Sequence, residues 1–386
     1  MKCILRHRAF ARVALHSAGA LVLTLFAASS ARAVEPDIPR TQSAAERGSI
    51  QQQIEMAAAY LSGKGVARDE RQAAYWYEKA ANSGDPGAQL QIGFFYEAGI
   101  GVERDPARAA VWFERAMAGG SVPARVNLGV AYTWGLGVRK DPEFAVQLFR
   151  QAAEKGDGAG ACFLADAYYF GVGVQRDAEK ARHWFEVGAK KHDAQAEFSL
   201  AFLLLRQPDH NDDDRAIRLL RDSAKSGYVA AKHELALQLI RKSDASAVSE
   251  EALEQLQDAS SQGFWKSTVV LAVLYRDGRG VAKDAEIAYL HFRIATLQGG
   301  EPAKTMVAND LKALAPALGG ARTKTLDAKA TDWMTTHNRK LEFVRYPGGD
   351  KSFPAFALAY PDNGMHAGRL YPLDDSENLA GETFQP

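Results

Sequence analysis

Nine histidines, two cysteines, three consecutive aspartates and five Gly-x-Gly turns are the residues of this 386-residue chain whose types could support chemistry. The turns are Gly63-x-Gly65-Val66, Gly99-x-Gly101-Val102, Gly135-x-Gly137-Val138, Gly171-x-Gly173-Val174 and Gly278-x-Gly280-Val281. A glycine-rich turn can cradle a phosphate when it follows a strand and leads through a further glycine into a helix. Here the strand pattern and the later glycine are missing, and the motif recurs as structural punctuation does. Asp212-Asp213-Asp214 could offer carboxylates to a divalent cation, but they lack the Asp-x-Asp-x-Asp-Gly…Glu spacing of a calcium loop. The histidines beyond residue 33 do not cluster, and none pairs with a carboxylate at metal-ligand or acid–base spacing. Ser62-Gly63-Lys64 fails the Ser-x-x-Lys spacing, and no Gly-x-Ser-x-Gly elbow occurs. These residues therefore predict no catalytic group, no cofactor and no metal site.

The elements that hold them repeat. In Gly135-x-Gly137-Val138-Arg139-Lys140-Asp141-Pro142-Glu143-Phe144-Ala145, the glycines end one helix in a left-handed turn. Asp141 can cap the next helix, and Pro142 suits its first turn. The cap recurs as Asp69, Asp105, Asp141, Asp177 and Asp284, and the second turn glycine as Gly65, Gly101, Gly137, Gly173 and Gly280. The helix alanine recurs as Ala73, Ala109, Ala145, Ala181, Ala216, Ala252 and Ala288, in steps of 36, 36, 36, 35, 36 and 36 residues. Exit glycines recur at Gly84, Gly120, Gly156, Gly227, Gly263 and Gly299; His192 replaces one of them, where His tolerates positive φ better than most residues. The spacing predicts an all-α fold: a right-handed α/α superhelical solenoid of about seven 36-residue helix-turn-helix repeats. A small residue in each first helix (Ala57, Gly93, Gly129, Ala165, Ala201, Ala236, Ala272) lets the partner helix approach. The aromatic pairs Trp76-Tyr77, Trp112-Phe113 and Trp184-Phe185 fall in register with Ala73 and are read as core. Cys162 shares a column with Leu90, Val126, Phe198 and Val269, which reads as a small buried hydrophobe rather than a reactive thiol. His233 sits in the same column, and His291 lies in that of Trp76.

The pattern Ala124, Leu128-Gly129, Tyr132, Gly135-x-Gly137-Val138, Asp141, Ala145 and Phe149-x-x-Ala152-Ala153 resembles the Sel-one-like repeat (SLR) family, a branch of the tetratricopeptide-like solenoids. The resemblance spans roughly residues 50 to 300 and is specific for fold more than for function. One secreted, disulfide-rich branch of that family is associated with penicillin binding, but the paired cysteines of that branch are missing here.

The ends differ from the middle. Residues 1–33 read as a signal peptide: Lys2, Arg6, Arg8 and Arg12 precede an apolar run, and Ala31-Arg32-Ala33 fits a cleavage site. Residues 34–48 read as a flexible leader, 49–301 as the solenoid, and 302–342 as capping helices broken near Pro316 and Gly319-Gly320. Residues 343–386, with Tyr346-Pro347, Phe353-Pro354, Tyr360-Pro361 and Tyr371-Pro372, read as an extended tail that either hangs free or, the favoured reading, docks on the solenoid over 343–374. Units five and six lose the glycine turn, to Arg206–Asp214 and Arg241–Ser249.

The whole chain has 47 basic and 47 acidic residues, and residues 1–33 hold five basic and no acidic ones. The chain expected after cleavage carries 42 against 47, a net −5. That balance argues against nucleic acid as a partner, and no further run is long enough for a membrane span. The expected function is a non-enzymatic exported scaffold, periplasmic or secreted, that binds a protein or peptide. The resemblance implies an envelope adaptor, regulator or host-interaction factor. The alternative is an enzyme or ligand-binding protein acting on cell-wall material. Oligomeric state is not legible.

Overall fold

The computed structural model describes residues 38–206, 212–243 and 248–337; the signal peptide and the aromatic tail expected from the sequence lie outside them. Sixteen helices and no strand occur among the described residues. The chain divides between Lys191 and His192 into two compact units.

The first unit holds α1 (Ile38–Glu46) and four helix pairs: α2 (Ile50–Ser62) with α3 (Glu70–Asn82), α4 (Pro86–Ala98) with α5 (Pro106–Ala118), α6 (Val122–Trp134) with α7 (Pro142–Glu154), and α8 (Gly158–Phe170) with α9 (Ala178–Lys190). The cause of each boundary is local. The first helix of a pair ends where Gly63, Gly99, Gly135 or Gly171 takes left-handed φ, between 68° and 74°. The second helix starts at an aspartate whose carboxylate accepts backbone N–H groups otherwise left without partners. The pair closes on apolar faces four residues apart. Ala73, Ala109, Ala145 and Ala181 are all buried, as are Tyr77, Phe113, Phe149 and Phe185. A Cβ on Gly93 would come within 2.5 Å of the Phe113 ring, and one on Gly129 within 2.6 Å of the Phe149 ring. Those two glycines are where the aromatic of the partner helix lies, as the small-residue column predicts.

The leader is not wholly irregular as expected: residues 38–46 form α1, with Ala45 fully buried. The reason is that α1 occupies the place of a second helix without its first. Gln53 Nε2 donates to Ala45 O at 3.0 Å, as Gln89 Nε2 donates to Ala81 O at 3.1 Å one repeat later. Gly48 (φ 96°) matches the exit glycine Gly84 (φ 95°). This half-repeat covers the apolar face that α2 would otherwise expose.

The second unit holds α10 (Ala194–Leu205) with α11 (Asp213–Lys225), α12 (Val229–Lys242) with α13 (Glu250–Ser261), α14 (Trp265–Asp277) with α15 (Ala285–Leu318), and α16 (Gly320–His337). Where the glycine turn is lost, α10 ends at Arg206 and α12 at extended Ser243. Ala201, Ala216, Ala236 and Ala252 stay fully buried, so the pairing survives the loss of the turn. Within α15 the backbone leaves helical geometry at Gly300 (φ 61°, ψ −141°), so Pro302 sits in the first turn of its distal half, where no N–H is required. The exit residue is thus Gly300 rather than Gly299. Gly299 instead admits Trp265, whose ring would meet an added Cβ at 2.7 Å. The next break falls at Gly319 (φ 78°), at the expected Gly319-Gly320, while Pro316 stays inside the helix. The distal half of α15 covers Phe292 and Ala272 with Val307, Leu311 and Leu314. The side chain of Arg322 on α16 clasps Glu286 at the start of α15.

Candidate interaction surface

The repeat positions come first, because they decide which polar groups remain available. Asp69 Oδ1 accepts from Arg71 N at 2.9 Å and Gln72 N at 3.1 Å, and Asp105 Oδ1 from Ala107 N and Arg108 N at 3.0 Å. Asp141, Asp177 and Asp284 repeat the arrangement on Phe144, Lys180 and Ile287 at 2.9 Å. The same aspartates donate their backbone N–H to Tyr60, Tyr96, Tyr132, Tyr168 and Tyr275 carbonyls at 2.7–3.0 Å. Each cap therefore ties the start of one helix to the last turn of its partner. The second turn glycine joins neighbouring pairs. A Cβ on Gly101 would lie 2.0 Å from Glu70 O, on Gly137 2.2 Å from Pro106 C, and on Gly173 2.1 Å from Pro142 O. In the second unit a Cβ on Gly280 would lie 2.4 Å from Val248 Cβ. Gly65 shares the left-handed φ, at 75°.

The residues singled out for possible chemistry are dispersed. Cys162 is buried, at 2% exposure. Asp212 stands at the N-cap of α11 without a side-chain cap bond, Asp213 and Asp214 lie in its first turn, and Asp214 pairs with Lys242 at 2.6 Å. Among the described residues no three His, Cys, Asp or Glu side chains come together as a metal cluster. His192 has φ 56°, the left-handed value expected of an exit glycine. Its Nδ1 lies 3.4 Å from Oε1 of buried Glu197, a pair the sequence did not reveal. Burial raises the Glu197 pKa, the negative charge of Asp222 adds to this, and His192 opposes it. The pair anchors the turn that lacks a glycine.

His233 Nδ1 lies 2.9 Å from Ser267 Oγ, and burial pushes its pKa down to about 3, with the charge of Lys266 adding to the effect. The folded chain thus prefers neutral imidazole, whereas the unfolded chain takes up the proton near pH 6.5. The stabilisation is complete above the unfolded value and declines as pH falls from there toward about 3. At pH 5.5 the expected decline is about 1 kcal/mol. Denaturant titrations of the parent and of His233→Leu at pH 7.5 and 5.5 check this: the variant should lose less stability on acidification, and an identical loss would contradict it.

A cleft of about 670 Å³ opens beside the first two glycine turns, lined in part by Arg68, Asp69, Glu70 and Arg71. Three of its ionisable groups are engaged: Asp69 caps α3, and Arg68 pairs with Glu70 at 2.9 Å.

One polar column on the surface of the first unit changes character from pair to pair. Between the first two pairs, Tyr96 Oη donates to Glu78 at 3.0 Å, Arg108 donates to the same carboxylate at 2.9 Å, and its guanidinium lies 4.0 Å from the centre of the Tyr96 ring. Burial, then the hydrogen bond to Glu78 and its charge, push the Tyr96 hydroxyl up to about 12. One repeat on, the Tyr132 ring meets Phe144 edge-on at 4.8 Å, and burial followed by the charge of Glu114 raises the pKa of the Tyr132 hydroxyl. Another repeat on, Arg150 replaces the acid and donates to Tyr168 Oη at 3.1 Å, while Lys180 lies 5.4 Å from the centre of that ring. Elsewhere on this unit Tyr75 and Val111, one repeat apart, are 48% and 47% exposed.

Comparison with known proteins supplies the family. The Sel1 repeat profile matches residues 53–85, 86–121, 122–157, 158–193 and 267–300. The chain carries Sel1 repeats. The matches coincide with the helix pairs that keep their glycine turns; the two intervening pairs keep the helices but lack the Sel1 turn. A Sel1 repeat protein from Oxalobacter formigenes is 26% identical, with 79% of this chain and 88% of that one covered and a TM-score of 0.52. A protective antigen of uropathogenic Escherichia coli with an SLR fold is 22% identical over 82% of this chain and 84% of its own, with a TM-score of 0.40. No curated protein matches significantly. The Sel1 repeats and the Oxalobacter likeness assign the all-α, repeat-based solenoid class. Sel1 repeats generally serve as non-catalytic scaffolds for protein–protein interaction.

Proposed function

We propose that this Sel1 repeat protein is a non-enzymatic scaffold, exported to the cell envelope, that binds a protein or peptide partner as an adaptor, regulator or host-interaction factor. One observation carries the reading. The aspartates and glycines that could have built a site instead cap helices and join neighbouring pairs. Outward-facing groups of the first unit include exposed Tyr75, with Lys79 4.7 Å from its ring centre, and exposed Val111. Such surfaces bind by complementarity rather than by bond-making. The basic, apolar and small-residue order of residues 1–33 supports export. No helix of the described residues is long and apolar enough to cross a membrane.

In-cell crosslinking followed by recapture with the purified chain tests the proposal. A defined protein should be enriched and then bind the purified chain directly. Turnover of cell-wall glycan by the isolated chain, with no protein recaptured, would contradict it.

A further inference from the structure

Repetition supplies an internal standard for the column that holds Tyr96, Tyr132 and Tyr168. In its complete form a carboxylate, Glu78, is gripped by a tyrosine hydroxyl and an arginine from the next pair. At the third and fourth pairs the same positions hold Arg150, Tyr168 and Lys180, so the grip is kept and the carboxylate is missing. No carboxylate among the described residues pairs with Arg150. Arg150 can only donate, so its bond to Tyr168 Oη leaves the tyrosine hydrogen without an acceptor among those residues. Lys180 gives one of its three N–H groups to Asp177 Oδ2 at 3.0 Å and is 59% exposed, which leaves donors facing solvent.

We propose that Arg150, Lys180 and the Tyr168 hydroxyl receive a carboxylate from a partner protein, an acidic side chain on a peptide segment, much as Tyr96 and Arg108 receive Glu78 two repeats earlier. This rests on the scaffold reading above and names its partner chemistry. A carboxylate fits because the template ligand is one, and because arginine can meet it with two parallel N–H groups. The backbone N–H of Lys180 is already taken by Asp177 Oδ1 at 2.9 Å and is not offered to a phosphate. The balance of 47 basic and 47 acidic residues gives no footprint for a phosphate polymer.

Fluorescence anisotropy at low ionic strength with the full chain tests this, using labelled hexaglutamate and hexaglutamine peptides as probes. Hexaglutamate should bind and hexaglutamine should not. Arg150→Glu should weaken hexaglutamate at least tenfold while holding or raising the melting temperature, because the new carboxylate takes the position of Glu78. Tyr168→Phe should weaken it about threefold. Lys64→Glu makes the same charge change in the first glycine turn and should stay within twofold. Should Arg150→Glu not fold, Arg150→Gln gives the same readout, with tenfold weakening supporting the site and unchanged affinity overturning it. Equal weakening by Lys64→Glu would show a diffuse field instead of a site. Unchanged affinity with a lowered melting temperature in Arg150→Glu would make Arg150 purely structural. Displacement by inorganic phosphate at lower concentration than by acetate would overturn the carboxylate assignment. If Arg150→Glu still captures the cellular partner undiminished, this site fails and the scaffold reading stands. If neither chain captures a protein, the scaffold reading itself fails.

Discussion

Replacing Gly137 with alanine lowers the unfolding free energy by roughly 2–5 kcal/mol, whereas Gly120→Ala costs about 1–2 kcal/mol. Both glycines have left-handed φ, 70° and 94°. That conformation alone disfavours any residue with a Cβ, and it is the whole cost at Gly120, where nothing lies within 4 Å of the added atom. At Gly137 the atom would also stand 2.2 Å from Pro106 C and O at the start of the preceding α5. Main chain cannot swing aside as a side-chain tip can, so neighbouring pairs must part. Denaturant unfolding of both variants decides the matter. Equal losses would mean that the turn glycine serves only its own loop and does not join repeats.

Trp76→Ala is expected to cost about 3–5 kcal/mol, in line with other buried aromatic truncations. Trp76 is 4% exposed, meets Tyr75 edge-on with centroids 5.1 Å apart, and lies in the same cluster as Ala45, Met56 and Ile92. Its truncation opens a void near α1, the half-repeat that covers that end. The same column at the fourth pair holds Trp184, which is only half-buried, so Trp184→Ala should cost distinctly less. Calorimetric melting of the two variants at neutral pH tests the ordering. A larger drop for Trp184→Ala would show that the column does not have a common role.

Much of this was legible in the sequence, because each repeat obeys short-range rules. An aspartate caps a helix and a glycine reverses one wherever they occur, and a 36-residue step multiplies the signal until it cannot be missed. The helix within the leader that the sequence marks as flexible over 34–48 is hard to see because α1 has no paired first helix and no Gly-x-Gly turn. The signal was present nonetheless: Ala45 and Gly48 stand 36 residues before Ala81 and Gly84. Two details of α15 escape the sequence for another reason. Pro316 has a fixed φ that a final helical turn accepts, and only the backbone decides whether Gly299 or Gly300 takes the left-handed conformation. The surface column was harder still. Glu78, Tyr96 and Arg108 are 18 and 12 residues apart, and they meet only because three helices from two pairs converge. Arg150 and Lys180 draw notice only once that geometry shows that a carboxylate belongs between them. The Glu197–His192 pair was hidden similarly, since a buried glutamate in a helix looks like a surface one until the packing is known.

The central claim is that this chain of Sel1 repeats works by what its outer surface holds. Site-specific photocrosslinking in the native cell tests that claim most directly, with the photoreactive residue at exposed position 179 beside Lys180, at position 75, and at position 64 as a control. The account predicts one discrete crosslinked protein from position 179 or 75 and none from position 64. No discrete product from any position, combined with catalytic turnover by the purified chain, would contradict it.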